Sequence, residues 1–190
     1  MRSALIAVVL VFVGFGPVAE ARPRDRAVNE GASRDQIAAA PDDRSVGETV
    51  ALLPRADAQR VVQILIDVGD NRQELGVALR DARPEHILAV VFLIMNMPER
   101  DLETVTAEFL LENTALAYEA WQNAPWADQV TEDQFHQYIL PFASLNERRD
   151  DWRADFYEQL REQCWQFDNV LDAVNWLNDN LNDHFEVYFH

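Results

Sequence analysis

The sequence predicts an all-α fold, a multi-helix bundle of about six to seven helices with a short strand at its C-terminal end. Apolar residues recur every three to four positions in successive segments after residue 55, which is the repeat of an amphipathic helix. Stop and start signals such as Gly69-Asp70-Asn71 and Thr131-x-x-Gln134 separate these segments. The chain has 190 residues and one cysteine. It is long enough for one or two domains that are stabilised by packing without an internal disulfide.

The first residues predict an exported protein. Arg2 precedes an apolar run from Ala4 to Phe15, and Ala19-Glu20-Ala21 is an A-x-A cleavage site, as in a secretory signal peptide. The alternative is an uncleaved membrane anchor, but the apolar run is shorter than the roughly 20 residues that a span needs. We therefore expect a periplasmic or extracellular protein. The predicted regions are a signal peptide at 1–21, a disordered linker at 22–45 and a helical domain at 46–190.

Two helices are predicted between residues 56 and 82. Asp70 or Asn71 is placed to cap the second helix, and Gln73 or Glu74 stands three residues later, where a capping box would be completed. The inward-facing residues expected on these helices are Val61, Val62, Leu65, Val68, Leu75, Ala78, Leu79 and Ala82.

The third helix is predicted to form the centre of the core. Pro84 suits its first turn, and Ile87 to Met95 is apolar on every side, which is typical of a buried helix. A long fourth helix is predicted from Asp101 or Thr104 to about Asn123, with an acidic side in water. The residues expected on its other side are Leu102, Val105, Phe109, Leu116 and Ala120.

Three helices are predicted in the last third of the chain. A capping box at Thr131 opens a short one, residues 150–163 form the next, and Asp168 caps the last. The residues expected to face inwards are Phe135, Tyr138, Ile139, Trp152, Phe156, Leu160, Cys164, Val170, Val174, Leu177 and Leu181. The final residues, His184 to His190, alternate as a β-strand does. This strand would pair with another chain, remain irregular, or lead into a further sheet.

The charge of the chain excludes some partners. The formal net charge is -17, and removal of residues 1–21 leaves it unchanged because one Arg and one Glu are lost. Such a surface repels nucleic acid and anionic lipid. We therefore expect protein partners, with no nucleic acid and no membrane contact after signal cleavage.

Catalytic and metal-binding patterns are weak in this sequence. Cys164 falls on the apolar stripe that starts at Trp152, which predicts a buried, inert thiol with a raised pKa. The four histidines show no metal-ligand spacing, and no glycine-rich phosphate loop is present. No catalytic residue, metal or cofactor is predicted. A hydrolase that uses carboxylates or Cys164 is a further hypothesis.

The run from Asn146 to Arg153 has the densest mixture of charges. Three arginines alternate with three acidic residues, which favours an ion-pair network around a helix start, with Trp152 as its packing anchor. The alternative is a solvated helix start. The structural or partner-contact candidates are Trp126, Asn146, Arg148, Arg149, Asp150, Trp152, Phe185 and Val187.

Several motifs together suggest a family. They are Asn96–Leu102, Phe109–Asn113 with Ala117-Tyr118, Ala124-Pro125-Trp126, Phe135 with Tyr138–Pro141, Ala143–Arg153, and the pair Asn178 and Leu181. In this order they resemble the helical region that precedes the catalytic core in exported bacterial transglutaminase-like proteins. The resemblance covers about Asn71 to His190.

This resemblance implies a papain-like core with a Cys-His-Asp site downstream of the helical region. The chain departs from the family there, because no nucleophile motif follows the final helix and Cys164 does not match the nucleophile position. We therefore expect a non-catalytic helical prefix that packs against or binds such a core, or self-associates through Phe185–Phe189. The alternative is a truncated piece of an enzyme for acyl transfer or peptide hydrolysis, whose site lies beyond residue 190.

Overall fold

The computed structural model describes residues 45–143 and 152–184, with side chains described as far as residue 180. These residues form helices and turns without a strand, so the predicted all-α fold is confirmed. The predicted signal peptide, nearly all of the linker and residues 185–190 of the predicted C-terminal strand lie outside the described residues, and His184 is the last residue of a helix.

Nine α-helices occur in the described ranges. They are α1 (Val46–Ala51), α2 (Arg55–Asp67), α3 (Arg72–Asp81), α4 (Ile87–Asn96), α5 (Glu99–Leu102), α6 (Ala107–Asn123), α7 (Glu132–Gln134), α8 (Trp152–Cys164) and α9 (Val170–His184). A π-helical turn, Phe135–Ile139, continues α7. Each predicted helix has a helical counterpart in the described ranges, and the short helices α1 and α5 come in addition to them.

The described residues divide into two compact units. The first unit ends at Thr114 and the second begins at Ala115, so the division falls inside α6. The sequence predicts a single helical domain over 46–190, and no helix boundary coincides with this division. None of the described helices is both long and apolar enough to cross a membrane.

The core of the first unit is built around α4. Ile87, Ala89, Val90 and Ile94 have no exposed surface, which confirms the central position predicted for this helix. Helix α4 packs on α2 and α3, and α1 packs on the same two helices. The first unit therefore has one apolar helix surrounded by amphipathic ones.

Two residues near the start of α3 have partners other than those predicted. Asn71 makes no capping bond, and its Nδ2 donates to the carbonyl oxygens of Leu102 at 2.7 Å and Val105 at 2.9 Å. Glu74 accepts the N–H of Ala107 at 2.8 Å. The predicted cap of α3 is wrong, because these side chains stabilise a loop distant in sequence instead.

Helix α6 starts later than predicted. Its first residue is Ala107, because Thr106 Oγ1 accepts the N–H of Phe109 at 3.2 Å and acts as the N-cap. The face of α6 that is buried also differs. Asn113 and Thr114 are buried, whereas Phe109, Leu116 and Ala120 are only partly buried.

The second unit has a core in which α8 and α9 pack together. Its buried residues are Ala124, Trp126, Leu160, Cys164, Val170, Ala173, Val174 and Leu177. Beside α7, Phe135 is fully buried and stacks on Trp121 with ring centroids 4.4 Å apart. The capping box of Thr131 and Gln134 is confirmed.

Two further predictions of inward-facing residues and one further prediction of a capping residue are wrong. Val62 is 43 % exposed and Tyr138 is 45 % exposed, because each lies beyond the edge of the buried face of its helix. Asn169, not Asp168, caps α9, since its Oδ1 accepts the N–H of Asp172 at 2.9 Å.

Candidate functional site

A hollow of about 550 Å³ lies on the surface of the first unit. Val46 of α1, Leu65 of α2 and Val77 of α3 give it an apolar lining. Its polar residues are Asp70, Arg72, Gln73 and Arg80. This volume falls within the range of small-molecule and side-chain binding pockets. We call it the α3 hollow.

The spacing of residues on α3 explains the position of the hollow. Arg72, Gly76 and Arg80 recur every four residues and line it, because residues four apart share one face of a helix. Leu75 and Leu79 lie on another face and are fully buried. Helix α3 therefore has one face in the core and another along the hollow.

A buried hydrogen bond holds α1 in place as the wall opposite α3. Thr49 is fully buried, and its Oγ1 donates to the carbonyl oxygen of Leu79 at 3.2 Å. A capping box between Ser45 and Glu48 fixes the start of α1. The hollow thus depends on a short helix that is not among those predicted from the sequence.

Gly76 lines the hollow without adding a side chain to it. A Cβ atom built on Gly76 would lie 3.6 Å from Cγ2 of Val46, which is an ordinary van der Waals distance. The absence of a side chain therefore lets Val46 of α1 lie close to the backbone of α3. Gly69, at the end of the hollow, has a φ of 68°, which a glycine adopts without strain and which ends α2.

The two arginines of the hollow differ in their partners. Arg80 Nε and Nη2 donate to Asp81 at 2.6 and 2.8 Å, and this contact raises the pKa of Arg80. Arg72 is exposed, and within residues 45–143 and 152–184 its guanidinium has no hydrogen bond or ion pair. Arg72 is thus available to an anion.

Exposed apolar residues lie on α2 beside the hollow-lining Leu65. Val62 is 43 % exposed and Ile66 is 60 % exposed. Successive helical residues are about 100° apart, so Val62 and Ile66 share one side of α2, adjacent to the side of Leu65. This helix therefore offers apolar surface in addition to the hollow itself.

Cys164 occupies a different environment in the second unit. Its side chain has no exposed surface and packs in the core with Leu160 and Ala173. Burial raises its pKa to about 12. The burial and raised pKa predicted for this thiol are confirmed. A protonated thiol without solvent access is a poor nucleophile.

Two predicted site residues in the described ranges are tryptophans of the second unit. Trp126 is 3 % exposed and packs in the same core as Cys164, so its side chain is not accessible to a partner. Trp152 is partly buried, and its Nε1 donates to the carbonyl oxygen of Phe142 at 2.9 Å. The remaining candidates, Asn146, Arg148, Arg149, Asp150, Phe185 and Val187, lie outside the described residues.

Arg153 is the described member of the predicted ion-pair network. Its Nη2 donates to the carbonyl oxygens of Ile139 at 2.9 Å and Pro141 at 3.1 Å. It therefore caps the C-terminal end of the π-helical turn, where carbonyl groups lack helical partners. Burial lowers the pKa of Arg153 to about 10, so the guanidinium remains charged at neutral pH.

The sequence analysis missed the residues of the α3 hollow. The repeat of Arg72, Gly76 and Arg80 is visible in the sequence, but it resembles an ordinary solvated helix face. Among the described residues, no three His, Cys, Asp or Glu side chains are grouped to hold a metal ion.

Comparisons of the chain with protein-family models, with curated proteins and with solved structures found no match. The resemblance to transglutaminase-like proteins therefore stays a prediction.

Proposed function

We propose that this chain is a non-catalytic helical module that binds the catalytic core of a transglutaminase-like protein. The observation that supports the binding role is the α3 hollow, which combines an apolar lining with arginines at its edge. The proposed identity of the partner rests on the sequence resemblance alone.

Exposed apolar surface favours a protein over a small molecule as the partner. Val62 and Ile66 would remain in water if only a small molecule filled the hollow. A protein surface that inserts one side chain into the hollow covers this side of α2 as well. Interfaces of this kind bury large apolar residues near their centre.

The non-catalytic role is supported by the position of Cys164, which is fully buried with a pKa of about 12. Iodoacetamide labelling, followed by mass spectrometry, tests this role. We expect Cys164 to react at least about 100-fold more slowly in the folded chain than in urea, because only the accessible thiolate reacts. Rapid labelling of the folded chain would instead support the hydrolase hypothesis.

Calorimetric titration of the whole chain with a transglutaminase-like core from the same organism tests the binding role. We expect Ile66→Asp to weaken binding at least about tenfold, as for a residue at the centre of an interface. The matched control is Leu171→Asp in the second unit, where Leu171 is 59 % exposed. No binding by the whole chain, or equal loss in both variants, would contradict the proposal.

The alternative is that the chain is a piece of a longer enzyme. The coding DNA beyond the codon of His190 distinguishes the two. A core with a Cys motif in the same frame, or displaced by a frameshift, would favour the alternative. The Cys-His-Asp site of that core would then carry out acyl transfer or peptide hydrolysis.

A further inference from the structure

We propose that the α3 hollow recognises a bulky apolar side chain that stands next to a carboxylate in a segment of the partner protein. This inference rests on the proposed function, because it names what the binding surface selects. It follows from the size of the hollow, from its lining and from the arrangement of charge at its edge.

The size and lining of the hollow fit one large side chain. Val46, Leu65 and Val77 surround a space of about 550 Å³, which accommodates an aromatic or long aliphatic group together with part of its backbone. Gly76 adds no side chain to this space, and Val46 lies at contact distance from a methyl group at that position. A purely polar segment would leave the apolar lining in contact with water.

The charges at the edge of the hollow determine where the carboxylate of the bound segment lies. Arg72 and Arg80 stand two turns apart along α3, about 12 Å by the rise of a helix. Asp70 lies at the Arg72 end of the hollow and repels a carboxylate from that end. The guanidinium of Arg72 has no partner among the described residues, and that of Arg80 is partly neutralised by Asp81. A carboxylate is therefore attracted to the space between the two arginines.

The overall charge of the chain makes this attraction selective. The net charge is -17, so most of the surface repels an acidic segment. Binding of an acidic segment is favoured only where an unpaired guanidinium lies beside apolar surface. The hollow thus selects for the combination of an apolar side chain and a carboxylate rather than for either group alone.

The experiment uses two capped peptides, Gly-Phe-Glu-Gly and Gly-Phe-Gln-Gly, titrated into the whole isotope-labelled chain and followed by NMR. We expect shifts at the methyl groups of Val46, Leu65 and Val77. The Glu peptide should bind about fivefold more tightly than the Gln peptide, a ratio that one or two solvent-exposed ion pairs provide. This ratio should fall towards one in 0.5 M salt, about three times the physiological ionic strength.

Variants distinguish the contribution of the Arg72 charge to peptide binding from the contribution of the cavity. Arg72→Ala should abolish the preference for the Glu peptide, and Gly76→Leu should remove binding of both peptides by filling the space. The matched control is Arg83→Ala, since Arg83 is exposed in the same unit but does not line the hollow. If Gly76→Leu does not fold, Val77→Asp tests the cavity instead.

Three outcomes of the binding experiments would overturn the inference. They are equal binding of the two peptides, shifts outside the hollow, and tighter binding of octanoate than of the Glu peptide, which would indicate a small carboxylate ligand. A dimer in sedimentation that Arg72→Ala dissociates would also overturn it, because the occupant would be a second copy of the chain.

The experiments distinguish a failure of the proposed function from a failure of this inference. If the transglutaminase-like core does not bind but the peptides behave as expected, the identity of the partner is wrong and the recognition stands. If the core binds and neither Arg72→Ala nor Gly76→Leu changes its affinity, the binding role stands and this inference is wrong.

Discussion

Cys164 and Arg153 are both buried in the second unit, and each has a perturbed pKa for the same physical reason. Removal from water disfavours the charged form of either group, which raises the pKa of the thiol to about 12 and lowers that of the guanidinium to about 10. At neutral pH the thiol is therefore neutral and acts as core filling. The guanidinium stays charged, and its Nη2 donates hydrogen bonds to carbonyl groups, whereas its Nε and Nη1 are buried and have no hydrogen-bond partner within residues 45–143 and 152–184.

The thiol predicts a loss of stability at alkaline pH. The pKa of Cys164 rises from 9.0 to about 12 on folding, so its stabilising effect is complete below pH 9 and is lost as the pH rises towards 12. At pH 10.5 this loss should reach about 2 kcal/mol, at 1.36 kcal/mol per pH unit. Urea unfolding followed by circular dichroism at pH 8 and 10.5 measures it.

Cys164→Ala is the matched control for the alkaline effect. Tyr157, whose pKa burial and Glu119 raise to about 12, is present in both proteins and its contribution cancels. The variant should lose less stability between the two pH values than the parent chain. Equal losses would show that the thiol ionises normally in the folded state.

The hydrogen bonds of Arg153 predict a loss of folding stability when its guanidinium is removed. Arg153→Met keeps the length of the side chain but leaves the carbonyl oxygens of Ile139 and Pro141 without this donor, which should destabilise the chain by about 2 kcal/mol. Arg153→Lys should cost less, because an ammonium still donates. Thermal and urea unfolding measure both.

The control for Arg153 is Arg161→Met. Arg161 lies 5.0 Å over the ring of Tyr157, and loss of this contact should cost less than about 1 kcal/mol. If Arg153→Met were as stable as the parent chain, the cost of burying the guanidinium would equal the gain from its hydrogen bonds.

At the scale of elements, two glycines beside α3 differ in conformation. Gly76 lies within the helix, and a Cβ there has room beside Val46. Gly69 has a φ of 68° at the end of α2 and no atom within 4 Å of a built Cβ. The same substitution therefore tests helix propensity at one position and backbone strain at the other.

We predict that Gly76→Ala stabilises the chain by about 0.5–1 kcal/mol, because alanine is the better helix former. Gly69→Ala should destabilise it by about 1 kcal/mol, because a side chain disfavours a left-handed conformation. Urea unfolding of the two variants measures this difference in sign. Destabilisation by Gly76→Ala would show that α1 cannot accommodate the added methyl group.

The helices could be predicted from the sequence because their apolar spacing is a local signal. The central position of α4 followed from its apolar residues alone. The ends of helices were less predictable, since Asn71 and Glu74 have the residue types of a cap but form hydrogen bonds to the loop around Val105 and Ala107. A choice between a local and a distant partner depends on tertiary structure.

The buried face of α6 was missed for a related reason. Asn113 Nδ2 and Thr114 Oγ1 donate to carbonyl oxygens one turn earlier, at 2.9 and 2.7 Å. A hydroxyl or amide N–H that donates within its own helix can be buried at reduced cost, although Oδ1 of Asn113 has no hydrogen-bond partner among the described residues. The α3 hollow was missed because it depends on how α1, α2 and α3 pack around Gly76, and no sequence pattern specifies that arrangement.

At the scale of the whole molecule, the dominant feature is the excess of negative charge. The chain has 33 acidic and 16 basic residues, and repulsion between like charges opposes a compact state. Salt screens such repulsion over distances of about 10 Å at 0.1 M ionic strength. The stability of this chain should therefore depend on salt in a direction set by its net charge.

We predict that 0.3 M sodium chloride raises the melting temperature at pH 7 by about 3 °C, which corresponds to about 1 kcal/mol for a chain of this size. The control is the same comparison at about pH 4.5, close to the ordinary pKa of carboxyl groups, where the net charge is near zero. Calorimetry should show little effect of salt there. An equal rise at both pH values would indicate a salt effect unrelated to charge screening.

The distribution of tryptophans has a practical consequence. All five, Trp121, Trp126, Trp152, Trp165 and Trp176, follow the division at Ala115. Tryptophan fluorescence of this protein thus reports on the second unit only, because the unit with the hollow contains no tryptophan. Val77→Trp or Ile66→Trp would place a fluorescent indole beside the hollow. Its emission would be measured as the difference from the emission of the five native tryptophans.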